Sequence, residues 1–236
     1  MVTAYLKRLY ATSRVVPSEV VGLGIMVIGF AALLWVVDLG GDPLRAQWGL
    51  VKARVLEGEV WRLATGHVVN LSHVHTLMNM LGVAFVTATV WSVLTARDFL
   101  RAVLVSGATV SIGWMILQPP EATYVGFSSI LHGIFAYGAL MMLTRGAPGL
   151  GALVLAGLSV KIGQELINGA VPGAVETIGG EVSLISHALG TMGGALAARG
   201  GEWRVRLIIV VLMGADAVYL AEPGLALRLG LDRLGG

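Results

Sequence analysis

Cysteine is absent from all 236 residues, which excludes a disulfide, a thiol nucleophile and a Cys-ligated zinc site. Charge is scarce as well. Asp, Glu, Lys and Arg make up 13% of the chain, against roughly 25% in a soluble domain. Segments that alternate with period two are missing, which argues against a transmembrane barrel. What is present is apolar: 56% of residues are hydrophobic, the mean hydropathy is +0.82, and the apolar residues gather in runs of roughly 18–20, the length a helix needs to cross a bilayer. Only helices or closed barrels satisfy every backbone group in lipid. The expected fold class is therefore an all-α polytopic membrane protein. The formal net charge of +2 sits in short loops, where it reports topology, and no nucleic-acid partner is expected.

Six spans are predicted at Glu19–Val37, His73–Leu94, Phe99–Leu117, Ser128–Thr144, Leu150–Ile167 and Ser183–Ala198, with a weaker seventh at Val205–Ala221. Breakers separate them: Gly40-Gly41-Asp42-Pro43, Pro119-Pro120, Gly146-Ala147-Pro148-Gly149, Pro172-Gly173 and Gly200-Gly201. The first run follows Lys7, Arg8 and Arg14, is long for a signal-peptide core and has no A-x-A site after it, so it reads as a retained span. Residues 39–72 are too polar to cross and too apolar for a free linker, and are expected to fold on the membrane surface as an outer loop. The chain then divides into an N-terminal segment (1–18), a membrane core (19–199) and a C-terminal extra span with its tail (200–236). Asp216 in the seventh run either faces the interior or marks that run as an incomplete span.

Lysine and arginine are missing from the loops at 117–127 and 168–182, which carry Glu121, Glu176 and Glu181 instead. Lys7, Arg8, Arg14, Arg97, Arg101, Arg145, Arg199, Arg204 and Arg206 fall on the opposite side. The outer segment 39–72 holds Arg45, Lys52, Arg54 and Arg62, but the rule is weakest for so long a segment, so the N-terminus is placed inside. Spans two, four and six then start at the outer surface. His75 and Asn79 on span two, Ser128 and His132 on span four, and His187 on span six lie at one depth. Polar side chains at membrane depth are costly and tend to mark function.

Span four opens on Gly126-Phe127-Ser128-Ser129-Ile130-Leu131-His132-Gly133. Either the serines are helix-start caps, or Ser128 is a nucleophile that needs a base to take its proton. His187 is a base that another helix can supply; otherwise it is a packing histidine. The leading N–H groups of span four are free to face an oxyanion. Asn79 offers another donor, with His75 on the same helical face; the alternative is interhelical polar glue. Gly190 and Gly194 form a small-xxx-small face that lets a partner helix come close. Lys161, Gln164 and Glu165 lie at i, i+3 and i+4 on span five and read as an ion pair or polar face, or as a transporter's proton path. His67 and His73 read as surface or interface residues. No H-E-x-x-H spacing supports zinc at His75, His132 and His187, and neither metal nor cofactor is expected.

The motifs together resemble the rhomboid intramembrane serine proteases. Trp61-Arg62 resembles the family's WR pair. Asn70-Leu71-Ser72-His73-Val74-His75-Thr76-Leu77-Met78-Asn79 resembles its H-x-x-x-x-H-x-x-x-N segment, with Asn70 in place of the first His. Gly126-Phe127-Ser128-Ser129 resembles G-x-S-G, and His187-x-x-Gly190-x-x-x-Gly194 resembles the motif of the sixth span. The spacing Gly126, Ser128, His132 and the Lys161/Glu165 pair resemble the rhombosortase subgroup. The resemblance implies a six-helix rhomboid-like bundle with a Ser128–His187 dyad (nucleophile and general base/acid). It further implies an oxyanion hole of His75, Asn79 and the Ser128 backbone N–H, shaped by Gly126, His132, Gly190 and Gly194. His132 stands where many rhomboids have an aromatic beside the catalytic histidine. Ser129 stands in place of glycine and is expected to put a side chain beside the nucleophile.

The implied function is an intramembrane serine endopeptidase cutting transmembrane protein substrates near the outer face, with C-terminal Gly-Gly-type sorting signals of exported proteins as the substrate class. The implied location is the inner (cytoplasmic) membrane of a bacterium, in contact with lipid, with the site opening outward. The alternative is a catalytically weak rhomboid-like protein that binds transmembrane segments without cutting.

Overall fold

The apolar runs become helices that begin and end at the polar punctuation between them. A computed structural model describes residues 17–169, 173–180, 183–199 and 203–221. The basic cluster Lys7, Arg8 and Arg14, the breakers Pro172 and Gly200-Gly201, Glu181, the Asp216 side chain and the tail after 221 lie outside the described residues. Helix α1 (Pro17–Asp38) leads into the loop 39–72, which holds α2 (Gly41–Trp48), strand β1 (Leu50–Val51), α3 (Lys52–Leu56) and α4 (Arg62–Thr65). Helices α5 (His73–Val90) and α6 (Ala96–Leu117) follow, then strand β2 (Thr123–Tyr124), α7 (Ser128–Arg145), α8 (Pro148–Asn168), α9 (Ala174–Ile178), α10 (Leu184–Ala197) and α11 (Trp203–Ala221). The weaker seventh run is a helix in its own right. By length and composition, α1, α5 with the turn after it, and α6 are each able to cross a membrane.

Local chemistry sets the ends. The Ser72 side chain accepts from the His75 N–H to cap α5, and Thr95 with Asp98 forms a capping box on α6. Gly146 (φ +118°) ends α7 by returning its N–H to the Met142 carbonyl. Pro148 then opens α8 at a position where its missing N–H costs nothing.

Helix α7 is the hub. Twelve of its eighteen residues are buried, because α5, α6, α8 and α10 all pack on it. Helix α1 packs on α5 and α6, and α11 packs on α10. Lipid tails are as apolar as the side chains, so close helix contact has to come from small residues and interhelical hydrogen bonds. Gly133 of α7 sits where a Cβ would lie 2.0 Å from the Ser106 Oγ of α6, and Gly138 where it would lie 2.4 Å from Val90.

Residues 39–72 fold into a clamp on the segment that precedes α7. β1 pairs antiparallel with β2, Leu50 opposite Tyr124 and Val51 opposite Thr123. Ala53 N–H donates to the Pro120 carbonyl (3.0 Å), and Gly126 N–H to the Gly66 carbonyl (3.0 Å). Inside the loop, the buried Arg62 donates through Nη1 to the carbonyls of Ala46 (2.9 Å) and Gly49 (2.6 Å) and through Nε to Glu59 (2.6 Å). The clamp thus holds the segment that enters α7, and with it the position of Ser128.

Candidate active site

Ser128 is the first residue of α7. Phe127 precedes it as the cap residue and makes no side-chain capping bond. The hydroxyl of Ser128 is therefore not used as a helix cap. It lies 3.1 Å from the Nε2 of His187, which α10 brings from 59 positions away. The other ring nitrogen of His187, Nδ1, is 3.0 and 3.1 Å from the two carboxylate oxygens of Glu165 on α8. A carboxylate accepts, so Nδ1 carries the proton and Nε2 presents a lone pair to Ser128. Lys161, one turn earlier on α8, pairs with the same carboxylate.

The close approach of α7 and α10 is built from glycine. At Gly190 a Cβ would stand 1.9 Å from the Ser129 carbonyl oxygen, and at Gly194 the same distance from the Gly133 carbonyl oxygen. Any side chain at either position drives the helices apart. His132, one turn into α7, donates from Nδ1 to the Ser128 carbonyl (2.8 Å) and stacks its ring on that of His187, with centroids 4.2 Å apart and planes 16° from parallel. The imidazole of His187 is held on its face by His132 and at its edge by Glu165.

His75 and the Gly126 turn lie beside Ser128. The Leu71 N–H donates to His75 Nδ1 (3.2 Å), so a neutral His75 carries its proton on Nε2. Gly126 has φ +126°, a conformation that side chains rarely adopt, and a Cβ there would lie 3.1 Å from His75 Cε1 and 3.8 Å from Ser128 Oγ. Glycine thus keeps open the space between His75 and Ser128 Oγ. Asn79 donates one amide N–H to Asn70 Oδ1 (2.6 Å) and keeps the other. The amide nitrogen of the buried Asn70 has no hydrogen-bond partner. The leading N–H groups of α7, Ser128 among them, have no carbonyl one turn earlier to pair with.

Two expectations are corrected. Ser129 does not project beside Ser128 Oγ. It is fully buried and donates to Ser186 Oγ (2.7 Å), whose own hydroxyl donates to the Ser183 carbonyl (2.6 Å). Position i+1 on a helix points about 100° away from i, here into the α7–α10 contact. His67 is not a surface residue either: it is buried between Tyr124 (3.1 Å) and Ser111 (2.9 Å). Tyr124 in turn donates to the Gly126 carbonyl (2.6 Å), so this network fixes the turn before Ser128. Burial pushes the His67 imidazole down to about 4 and the Tyr124 phenol up. His73 is exposed, and its Nδ1 is hydrogen-bonded to the Asp38 carboxylate.

Glu165 had a signal in the sequence. Successive spans alternate in direction, so the end of α8 falls at the level where α7 and α10 begin, the level of Ser128 and His187. The ligand-type atoms of His132, Glu165 and His187 lie within 4.8 Å of one another, a grouping that can hold a metal. The stacked rings, however, aim their in-plane lone pairs side by side rather than at one point, and Nδ1 of each ring is already hydrogen-bonded. The arrangement suits proton transfer better than ligation.

The model of the Rhomboid domain family matches residues 57–201. A protein of Bacillus subtilis (strain 168) described as "Putative rhomboid protease YdcA" is 29% identical over 91 residues, 39% of this chain and 46% of that protein. The chain thus spans about half the length of that relative. No solved structure matches. Because the family model covers more than half of the chain, on the helices that carry Ser128 and His187, this protein belongs to the rhomboid family, whose members are generally serine intramembrane proteases.

Proposed function

We propose that this chain is an intramembrane serine endopeptidase that cuts membrane-anchored protein substrates near the outer face of the membrane. The observation that carries the reading is the 3.1 Å approach of Ser128 Oγ to His187 Nε2, with the His187 proton held at Nδ1. Ser128 Oγ attacks the scissile carbonyl as its proton passes to His187 Nε2. The oxyanion is met by His75 Nε2–H, Asn79 and the Ser128 N–H. His187 returns the proton to the leaving amine as the C–N bond breaks. A water then repeats the sequence on the acyl-enzyme, with His187 again as base, and the acid product leaves.

The spacing of Gly126, Ser128 and His132 and the Lys161/Glu165 pair favour a rhombosortase-like substrate: an exported protein ending in a Gly-Gly motif, an apolar helix and a basic tail. The N-terminus lies in the cytoplasm and the site opens to the outer side of a bacterial inner membrane.

A fluorophosphonate probe tests the nucleophile. Labelling is expected in the wild type and lost in Ser128→Ala and His187→Ala. Labelling that survives Ser128→Ala overturns the assignment, and a folded wild type that never labels favours a protein that binds transmembrane segments without cutting them. Cleavage of a reporter with a Gly-Gly, apolar-helix, basic-tail terminus, lost when the glycines are replaced, tests the substrate class.

A further inference from the structure

A dyad of serine and histidine leaves one question open, namely what selects the histidine's tautomer. An imidazole free to choose can place its proton on Nε2, and then it cannot accept from serine. In this protein the choice is made by Glu165. Both of its carboxylate oxygens lie within hydrogen-bond reach of His187 Nδ1, at 3.0 and 3.1 Å, and the residue is buried. The bond is not incidental to the packing of α8. That helix packs chiefly on α7 and leaves Leu153, Val160 and Ile167 exposed along its length. Among the described residues, its polar contact with α10 is made at this turn.

A lone carboxylate at membrane depth is costly, and here it is not alone. Lys161, at i−4, reaches the same carboxylate with its ammonium while about 44% of its side chain stays exposed. The pair is neutral in the resting state. When Ser128 gives up its proton, His187 becomes an imidazolium, and Glu165 is in place to stabilise that charge without moving.

Resting on the Ser128–His187 reading, we propose that Glu165 is a positioning residue that turns the dyad into a Ser128–His187–Glu165 triad, with Lys161 balancing its charge. The carboxylate takes no proton in the cycle. The serine proton goes to Nε2 and from there to the leaving nitrogen, while the Nδ1 proton stays shared with Glu165.

The test is a comparison of Glu165→Gln, Glu165→Asp and Lys161→Met in the full-length protein, with kcat and KM for a cleavable transmembrane reporter and thermal stability measured together. Glu165→Gln preserves the shape and removes the charge; kcat is expected to fall by about 10²- to 10⁴-fold, the range seen when an orienting carboxylate or an oxyanion donor is lost, with KM within about threefold. Glu165→Asp is expected to recover at least about tenfold of that loss, and Lys161→Met to fall between the wild type and Glu165→Gln. A purely structural ion pair would lower the melting temperature and leave kcat of the folded fraction unchanged, and that result overturns the proposal.

A measurement on the wild type stands apart from the folding of any variant. In ¹⁵N-histidine-labelled protein, the resonances lost in His187→Ala report the His187 tautomer. A proton on Nδ1 is expected, and a neutral ring protonated only at Nε2 overturns the proposal. The two readings fail separately. Labelling that survives Ser128→Ala sinks the protease, whereas labelling that depends on Ser128 but ignores Glu165 sinks only the triad.

Discussion

The Gly190→Ala substitution adds one methyl group at the point where α7 and α10 touch. Its Cβ would start 1.9 Å from the Ser129 carbonyl oxygen and 2.6 Å from the carbonyl carbon. An ordinary carbon–oxygen contact is about 3.3 Å, so the two helices have to part by about 1.4 Å at this level. Both partners are backbone or bonded directly to it, and no rotamer change relieves the clash. Ser128 is one residue before the struck carbonyl, and His187 lies three residues before Gly190. A rigid separation of that size carries the Ser128–His187 contact from 3.1 Å to about 4.5 Å, well outside hydrogen-bond range. Misplacing a reacting group by about 1 Å can cost about 10²-fold in rate, and overpacking of a close-packed contact costs about 1–3 kcal/mol. The expected outcome is fluorophosphonate labelling slowed by about 100-fold or more, a lower melting temperature and an unchanged helical circular dichroism spectrum. Gly157→Ala and Gly163→Ala on α8 are the controls, since a Cβ at either meets nothing within 4 Å. They are expected to label at the wild-type rate and to be equally stable or more so, by up to about 1 kcal/mol. Wild-type labelling and stability in Gly190→Ala would refute the account of how α10 delivers His187.

Ser129→Ala removes the hydrogen bond to Ser186 (2.7 Å) but leaves Ser186 bonded to the Ser183 carbonyl. A stability loss of about 1 kcal/mol with labelling within about threefold of the wild type is expected; a tenfold gain in labelling would mean that Ser129 does obstruct the nucleophile. His67 carries a pH dependence of stability. Its folded pKa of about 4 lies below the ordinary 6.5 because burial disfavours the cation, so between those values the unfolded chain binds the extra proton. Stability is complete above about pH 6.5 and is lost as pH falls toward 4, by on the order of 3 kcal/mol in all. Melting curves of the wild type and His67→Gln across this window check it: the variant's acid limb is expected to be shallower, and parallel limbs would remove His67 as the cause.

Much of this molecule could be read without its structure, and the reason is the membrane. In lipid every backbone group must be bonded within its own helix, so span length, caps and breakers have little freedom. Ser72, Gly146 and Pro148 mark helix ends within a residue or two of where the apolar runs predict them, whereas the helix capped by Thr95 starts three residues ahead of the predicted Phe99. The alternation of basic loops with acidic ones sets a common depth for Ser128, His132, His187, His75 and Asn79, and that depth is a property of position along a span. Residues 39–72 were legible only as something that neither crosses nor floats. Their fold rests on Arg62 gathering the carbonyls of Ala46 and Gly49 and on a two-residue ladder to β2, contacts too distant in sequence to leave a periodic trace.

Depth along a helix is one-dimensional, and a reaction centre is not. Which side chains at that depth meet depends on the rotation of each helix about its axis and on how closely two helices approach. Both are decided by the fit of Gly190 against Ser129 and of Gly194 against Gly133. That fit turns Ser129 toward Ser186 and away from the site, lays His132 flat on His187, and brings Glu165 from α8 to the far edge of the same ring. The sequence by itself determined which helices form, where they stop and which polar residues share a level. The tertiary structure alone decided which of those residues touch, because backbone contacts of under 4 Å between helices set the rotation and spacing that no pattern within one helix contains.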